Sequence, residues 1–315
     1  MQVTVPSFAK LNLDLRVLRK RPDGFHELRT IFQSISLKDT LRIEFDFAKR
    51  TQIDLSSSFD IPDNLVVRSA KTVLDHLKVS AWVRFVLHKN IPMGAGLGGG
   101  SSNAASVLIA LPALAGKRIR FPDLVRLAET LGSDVPFFLH GGTALGIGRG
   151  AEVYPLPDLR PHSVLVVATG IHVSTAEAYS SLSRDVTDAL TSAADSPILR
   201  EFQGTAWNLA AWNLDGSALD QFPLKNDFEE PVFKTHPELP VIARKLHRLG
   251  ARPVRMTGSG SALFGIFRSP SERQMAASSF PAGTAFPLHF ISRPRYRSLW
   301  RRALGPVAGS SCFAQ

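Results

Sequence analysis

The sequence has a single cysteine, Cys312, among its 315 residues, so no disulfide framework can form within one chain. It lacks an apolar run long enough to span a membrane, and charged side chains such as Lys10 and Arg16 interrupt the segment where a signal peptide would have its apolar core. A content of 44% hydrophobic and 20% charged residues is typical of a globular enzyme and disfavours a disordered chain. We therefore expect a globular protein of the reducing cytoplasm, long enough for two domains.

Acidic residues are the scarcer charged class, since 27 Asp and Glu stand against 37 Lys and Arg, a net charge of +10. This balance favours polyanionic partners, either small molecules or nucleic acid. No zinc-ligand spacing, aromatic RNA-binding strand motif or helix-turn-helix pattern accompanies the charge, so a small molecule is the expected partner and nucleic acid is not. The sequence gives no indication of an oligomeric state.

The apolar periodicity of the first half predicts a mixture of strands and helices. Alternation predicts strands over residues 3–5, 11–17, 41–47 and 82–87, and residues 137–147 also resemble a strand. Helical spacing predicts helices over residues 65–77, 103–111 and 122–131. Asp63 or Asn64 should cap the first of these helices, and Pro112 should kink or end the second.

A proline-rich passage at residues 154–161 predicts a domain boundary. Beyond it, the pattern predicts strands over residues 163–168, 263–267 and 286–291, and a helix over residues 240–249 that Gly250 closes. We therefore predict an α+β protein with an N-terminal domain of residues 1–155 and a second domain of residues 156–292. Residues 293–315, rich in arginine, are interpreted as a solvated, partly ordered basic tail.

Residues 94–102 combine five glycines with two serines and directly precede a predicted helix. Glycines let the backbone approach a ligand and adopt positive φ, so that successive N–H groups can converge. The N-terminus of the helix adds unpaired N–H donors and a partial positive charge. This segment is therefore predicted to bind phosphate.

Two common phosphate loops do not fit this segment. Gly94, Gly96 and Gly99 satisfy G-x-G-x-x-G, but a dinucleotide fold needs an acidic residue roughly 20 positions later, where residues 117–120 are Lys-Arg-Ile-Arg. A Walker A loop would end in Gly-Lys-Ser or Gly-Lys-Thr, which does not follow here. An NAD-dependent oxidoreductase is therefore disfavoured, and a third kind of nucleotide loop remains.

Residues 92–102, Pro-Met-Gly-Ala-Gly-Leu-Gly-Gly-Gly-Ser-Ser, resemble the signature of the galactokinase, homoserine kinase, mevalonate kinase and phosphomevalonate kinase (GHMP) superfamily. Matching motifs occur in the expected order at residues 6–13, 21–28, 63–65, 131–137 and 256–261, and the resemblance covers about residues 1–292. It implies an N-terminal ATP-binding domain of the ribosomal-protein-S5-domain-2-like type and a C-terminal ferredoxin-like domain. The active site should lie in the cleft between them.

The segment Gly24-Phe25-His26 is similar to the branch that phosphorylates the 2-hydroxyl of a cytidine-diphosphate-linked methylerythritol in the non-mevalonate isoprenoid pathway. The resemblance implies that Asp134 accepts the hydroxyl proton and that Lys10 holds Asp134 ionised. It also implies ATP as the phosphoryl donor, bound as its Mg²⁺ complex without a dedicated protein metal ligand.

The resemblance divides the other site residues between the two substrates. It assigns ATP binding to Asn64, Pro92, Met93, Gly94, Ala95, Gly96, Leu97, Gly98, Gly99, Gly100, Ser101 and Ser102, with Ser101 or Ser102 near the metal. It assigns binding of the acceptor substrate to Asn12, Phe25, His26, Tyr179, Thr257 and Gly258. Phe25 and Tyr179 should sandwich the cytosine while His26 hydrogen-bonds it, and Asn12 should bond the substrate or Asp134. Phe25 replaces a tyrosine that is frequent in the family, so stacking is kept without a phenol oxygen.

Two other functions are compatible with the same loop. A kinase of the homoserine or mevalonate type would share the fold but would not need a cytidine diphosphate group. A non-catalytic nucleotide-binding sensor would not need both Lys10 and Asp134, and their presence disfavours it.

Overall fold

The structure is a computed structural model that describes residues 1–59, 61–182, 200–206 and 223–307. Its first sheet has six strands in the order β3-β4-β2-β5-β6, with β1 paired to β2. These strands are β1 (Gln2–Lys20), β2 (His26–Phe47), β3 (Gln52–Ser57), β4 (Ala81–His88), β5 (Thr143–Gly148) and β6 (Glu152–Pro155). All pairings are antiparallel except that of β3 with β4.

β1 and β2 form one long hairpin, so the predicted strands over residues 3–5 and 11–17 are parts of a single strand. Leu11 and Leu13 of β1 are buried in an apolar cluster that includes residues of the second sheet. The alternate residues Lys10 and Asn12 are also buried, and they line a large cavity. Because side chains alternate along a strand, one face of β1 contributes to the core and the other supplies polar groups to the cavity.

The helix predicted over residues 65–77 is confirmed as α1 (Leu65–Leu77). Asn64 caps it, because its side-chain oxygen accepts a hydrogen bond of 2.9 Å from Val66 N. α3 (Phe121–Leu131) matches the helix predicted over residues 122–131 to within one residue.

The second helix is longer than predicted, since α2 (Gly99–Leu114) continues through Pro112. Pro112 has no N–H, so α2 lacks the hydrogen bond that this position would donate to the carbonyl four residues earlier. Every residue of α2 from Ser102 onward is buried, so packing outweighs the missing bond.

Residues 137–140 are helical, which corrects the strand predicted over residues 137–147. α4 spans Val135–His140, and β5 begins only at Thr143. A short buried apolar run has no period that separates a helix from a strand. Gly141 and Gly142, with φ of 64° and 73°, end the helix and form the turn that leads into β5.

The second sheet has four antiparallel strands in the order β10-β7-β9-β8. They are β7 (Ser163–Val167), β8 (Val254–Met256), β9 (Leu263–Phe267) and β10 (Ala285–His289). The helices of this half are α5 (Thr175–Ser180), α6 (Glu229–Thr235), α7 (Glu238–Arg248) and α8 (Pro270–Ala277), and residues 200–206 are also helical. Two sheets that carry helices confirm the predicted α+β class.

The solvated tail predicted from residue 293 onward is wrong for the residues that the structure describes. α9 (Arg293–Leu304) packs on the first sheet's core through Tyr296, Trp300 and Leu304, which recur every four residues and are all buried. Tyr296 Oη donates a 2.6 Å hydrogen bond to the carbonyl of Phe138. The arginines occupy other positions of the helix. The basic composition therefore favoured a solvated tail, although the segment is an amphipathic helix. Residues 308–315, with Cys312, lie outside the described residues.

Within the described ranges, the helices are all too short or too polar to cross a lipid bilayer.

Candidate active site

The glycine-rich loop connects β4 to α2 and is shaped by left-handed glycines. Gly94, Gly96 and Gly98 have φ of 65°, 74° and 71°, which side-chain-bearing residues rarely adopt. Gly98 is the N-cap of α2, and neither a side-chain cap nor an acidic residue occupies the first turn. The first N–H groups of α2 have no partner within the helix, so this end of α2 can bind an anion.

The loop separates two cavities of about 1050 and 370 Å³. Gly94, Gly96, Gly98 and Ser101 line both of them, so a phosphate chain on the loop would reach from one to the other. The smaller cavity is lined by the predicted ATP-binding residues Asn64, Pro92, Met93, Gly94, Ala95, Gly96, Leu97, Gly98, Gly99, Gly100 and Ser101. Ser102 is different, because it is buried and lines neither cavity.

The loop packs directly against a turn of the second domain, residues 257–260. A Cβ built on Gly96 would lie 2.1 Å from the carbonyl oxygen of Thr257. The N–H of Ala262 donates to the carbonyl of Ala95 at 3.3 Å. Asn226 supports the turn, because its side-chain amide donates to the carbonyls of Met256 and Gly258 at 2.8 Å each. The predicted residues Thr257 and Gly258 therefore stand against the loop, and Gly258 lines the larger cavity.

Lys10 and Asp134 meet at the side of the larger cavity next to the loop. Lys10 Nζ lies 3.3 Å from Asp134 Oδ2, with the lysine side chain buried and the aspartate about one-third exposed. The N–H of Lys10 donates to the carbonyl of Leu97 at 3.0 Å, which joins β1 to the loop. Asp134 is the N-cap of α4 but makes no side-chain capping bond, so its carboxylate faces Lys10 and the cavity. The structure thus brings the two predicted catalytic residues together beside the predicted phosphate site.

Asn12 contacts the lysine of this pair rather than the aspartate. Its Oδ1 accepts a 2.5 Å hydrogen bond from Lys10 Nζ, and its Nδ2 donates to Thr30 Oγ1 at 2.7 Å. Its main-chain N–H donates to Thr257 Oγ1 at 3.0 Å. Asn12 therefore connects Lys10 to both β2 and the second domain.

Four aromatic side chains, those of Phe25, His26, Tyr179 and Phe228, line a part of the larger cavity that we call its aromatic end. The ring of Tyr179 stacks on His26 with centroids 4.7 Å apart and meets the edge of Phe228 at 4.8 Å. Burial raises the pKa of Tyr179 to about 12, and the Asp134 carboxylate adds to that shift. Loss of hydration, with a smaller effect of Lys20, lowers the pKa of His26, so the imidazole is neutral at pH 7. A neutral imidazole can both donate and accept a hydrogen bond, as recognition of a base requires.

Phe25 lies at the mouth of the same cavity with about half of its surface exposed. The guanidinium of Arg149 lies 5.3 Å from the centre of the Phe25 ring, and it donates to the carbonyl of Glu129 at 2.9 Å. Arg149 is absent from the set of residues predicted from the sequence, although it lines the cavity. The only feature of the sequence that could have pointed to Arg149 is its position between Gly148 and Gly150, directly after β5.

The segment that leads into the loop is held by the buried carboxylate of Asp39, another residue that sequence reasoning missed. Asp39 accepts hydrogen bonds of 2.8 Å from the N–H groups of Asn90 and Ile91, and one of 3.0 Å from Asn103 Nδ2. It also pairs with Lys89, which lines the smaller cavity beside Asn103. The cluster ties β2, the loop and α2 into one unit.

The sequence matches the family description "GHMP kinases N terminal domain" over residues 64–142 and "GHMP kinases C terminal" over residues 208–283. The fold is also similar to a solved homoserine kinase from Cytophaga hutchinsonii, with a TM-score of 0.68 at 18% identity over 93% of this chain and 95% of that chain. The glycine-rich loop and the two-domain architecture thus define the class, and the chain belongs to the GHMP kinases.

Two relatives and one solved structure specify the family. A 4-diphosphocytidyl-2-C-methyl-D-erythritol kinase from Solibacter usitatus (strain Ellin6076) is 51% identical over 307 residues, which cover 98% of this chain and 94% of the relative. One of the same name from Thermodesulfovibrio yellowstonii is 34% identical and covers 88% of this chain and 94% of the relative. A crystal structure of 4-(cytidine 5'-diphospho)-2C-methyl-D-erythritol kinase has a TM-score of 0.72 at 35% identity, over 92% of this chain and 99% of that chain. The chain belongs to the 4-diphosphocytidyl-2-C-methyl-D-erythritol kinase family, which confirms the resemblance seen in the sequence.

Proposed function

We propose that the chain transfers the γ-phosphoryl group of ATP to the 2-hydroxyl of 4-diphosphocytidyl-2-C-methyl-D-erythritol, giving the 2-phosphate and ADP. One observation carries this proposal: the Lys10–Asp134 pair lines the same cavity as the glycine-rich loop and the aromatic side chains on which a base can stack. The cavity of about 1050 Å³ is large enough for a nucleotide-linked polyol. The relatives named above support the choice of acceptor.

Asp134 acts as the base in this reaction. As the oxygen–phosphorus bond forms, the hydroxyl proton passes to the Asp134 carboxylate, and the bond between the γ-phosphorus and the bridging oxygen of ADP breaks. The Lys10 ammonium, with its Nζ 3.3 Å from Asp134 Oδ2, pairs with that carboxylate and offsets the negative charge of the phosphoryl oxygens. Positioning and charge stabilisation supply most of the acceleration in phosphoryl transfer.

The ATP phosphates lie on the N–H groups of the loop and of the first turn of α2, with the adenosine in the smaller cavity beside Asn64.

Mg²⁺ enters as the ATP complex, because it takes most of its ligands from phosphate oxygens and water. Ser101, which lines both cavities, is the hydroxyl placed to join such a complex, whereas Ser102 is buried away from them. When bound, the ion neutralises phosphate charge. Among the described residues, no group of three or more acidic, histidine or cysteine side chains forms a separate metal site.

The cytidine group occupies the aromatic end of the larger cavity. Tyr179 and Phe25 present ring faces, and the neutral His26 offers a donor and an acceptor for the edge of the base. Because His26 stacks on one face of Tyr179 in this structure, a base that stacks on that face requires His26 or Tyr179 to move. An activity that consumes ATP fits the cytoplasm, which the lone cysteine, Cys312, also favours.

The test is a coupled ADP-release assay with Mg-ATP and 4-diphosphocytidyl-2-C-methyl-D-erythritol, with the product examined by ³¹P NMR for a phosphate ester on the 2-hydroxyl. Homoserine, mevalonate and the cytidine-free 2-C-methylerythritol 4-phosphate serve as comparison acceptors. We expect turnover that depends on the cytidine diphosphate group. A folded, ATP-binding protein that ignores this substrate but phosphorylates homoserine or mevalonate would refute the proposal.

A further inference from the structure

Thr30 is a buried residue of β2 that joins the side chain of Asn12 to the backbone of β1. Its hydroxyl donates to the carbonyl of Asp14 at 2.8 Å and accepts from Asn12 Nδ2 at 2.7 Å. A hydroxyl has a single proton, and here that proton is used on Asp14. Toward Asn12, Thr30 can therefore only accept a hydrogen bond.

This polarity fixes the orientation of the Asn12 amide. The NH₂ group must face Thr30, so Oδ1 faces Lys10, whose ammonium can only donate and lies 2.5 Å away. A flipped amide would set an NH₂ group against the ammonium. The requirements of Thr30 and Lys10 agree, and only one amide orientation satisfies both.

We infer that Thr30 is a positioning residue for phosphoryl transfer, acting through Asn12 on Lys10. The inference rests on the proposed function, because Lys10 is the cation that contacts Asp134 at 3.3 Å. Thr30 accepts a hydrogen bond from the Asn12 amide, and the amide oxygen accepts one from the Lys10 ammonium. The ammonium is thereby kept beside Asp134 and the glycine-rich loop. A misplacement of about 1 Å at such a site costs about 10²-fold in rate.

Three variants separate positioning from general loss of stability. Thr30→Val keeps the shape of the side chain and removes both hydrogen bonds, whereas Thr30→Ser keeps the hydroxyl. Thr143→Val is the control, because Thr143 is as buried as Thr30, donates to Gln33 at 2.6 Å and accepts from Leu159 N at 3.1 Å. Thr30 lines the larger cavity, whereas Thr143 lines neither, so the control reports the cost of losing a buried hydroxyl away from the site. We expect Thr30→Val to lower kcat about 10- to 100-fold, with KM for both substrates within about twofold. Thr30→Ser should recover most of the loss, and Thr143→Val should not reproduce it.

A double-mutant cycle tests whether Thr30 acts through Asn12. In an Asn12→Ala background, Thr30→Val should have little further effect on kcat, because the amide that it orients is gone. Unchanged kcat in the Thr30→Val protein would overturn the inference. The inference would also be overturned if Thr30→Val lowered kcat as much in the Asn12→Ala background as it does in the wild type.

A measurement that requires no turnover tests the role of Thr30 whichever acceptor substrate the enzyme uses. NMR of the Lys10 ammonium in the full chain should show a hydrogen-bonded NH₃⁺ signal in the wild type and in Thr30→Ser, shifted or lost in Thr30→Val. An identical signal in all three proteins would refute the role of Thr30. If the wild type fails to phosphorylate the cytidine substrate, the proposed function falls, and the NMR comparison still decides the positioning role.

Discussion

Gly96 and Thr257 are in contact across the two halves of the protein, so closely that a Cβ on Gly96 would lie 2.1 Å from the Thr257 carbonyl oxygen. The contact joins the glycine-rich loop to the turn whose Thr257 hydroxyl also accepts a hydrogen bond from the main-chain N–H of Asn12. The loop and the Lys10–Asn12 network are therefore held by the same turn of the second domain.

We predict that Gly96→Ala disrupts ATP binding, because a methyl group cannot fit against a backbone carbonyl at this distance. KM for ATP should rise at least about tenfold, since the loop must move away from the turn. Gly116→Ala is the control, because Gly116 also has positive φ, 63°, but has open space around it. It should lose about 1 kcal/mol of stability with unchanged kinetics. Equal KM values in the two variants would show that the contact has no role in ATP binding.

Asp134→Asn should abolish most of the turnover, because an amide cannot accept the hydroxyl proton. We expect kcat to fall about 10²- to 10⁴-fold in the ADP-release assay, with ATP binding retained in calorimetry. Asp75→Asn, on the exposed face of α1, is the matched control. Comparable turnover in the two variants would exclude Asp134 as the base.

Tyr179→Leu should weaken binding of the cytidine substrate, because it removes the ring that stacks on His26 and packs on Phe228. Aromatic stacking contributes about 0.5–1.5 kcal/mol, so KM for this substrate should rise about 2- to 12-fold while KM for ATP stays constant. Tyr154→Leu removes an exposed tyrosine of β6 that lines neither cavity, and it should change neither constant. A rise in KM for ATP alone would contradict the assignment of Tyr179 to the cytidine end.

Stability should fall between pH 6.5 and pH 4 because of two partly buried histidines, His140 and His162. Burial lowers the pKa of His140 and of His162 to about 4, and nearby arginines add to both shifts. Their pKa in the unfolded chain is about 6.5, so in this window the unfolded state binds protons that the folded state does not. The free energy of unfolding should therefore decrease as the pH falls, by up to about 3 kcal/mol for each histidine at pH 4.

Urea unfolding of the wild type and of the double variant His140→Gln, His162→Gln at pH 7, 5.5 and 4.5 checks this prediction. The double variant should show a flatter dependence on pH. The same slope in both proteins would assign the acid sensitivity to other groups.

The sequence by itself determined the features that depend on near neighbours. The Asn64 cap and the left-handed glycines of the loop follow from local backbone preferences, which short motifs record. Through the family signature, the sequence also identified Lys10 and Asp134, and the structure brings them to 3.3 Å. The division into domains at residue 155 stays a prediction.

Only the tertiary structure decided the contacts between residues distant in the chain. Thr30, Asp39 and Arg149 acquire their roles from partners on other elements, and no periodicity or motif records such pairings. The same holds for α9, whose arginines suggested a solvated tail until Trp300 was found in the core. The physical reason is that local propensity fixes backbone conformation, whereas the direction of a hydrogen bond and the burial of a ring are fixed by what packs against them.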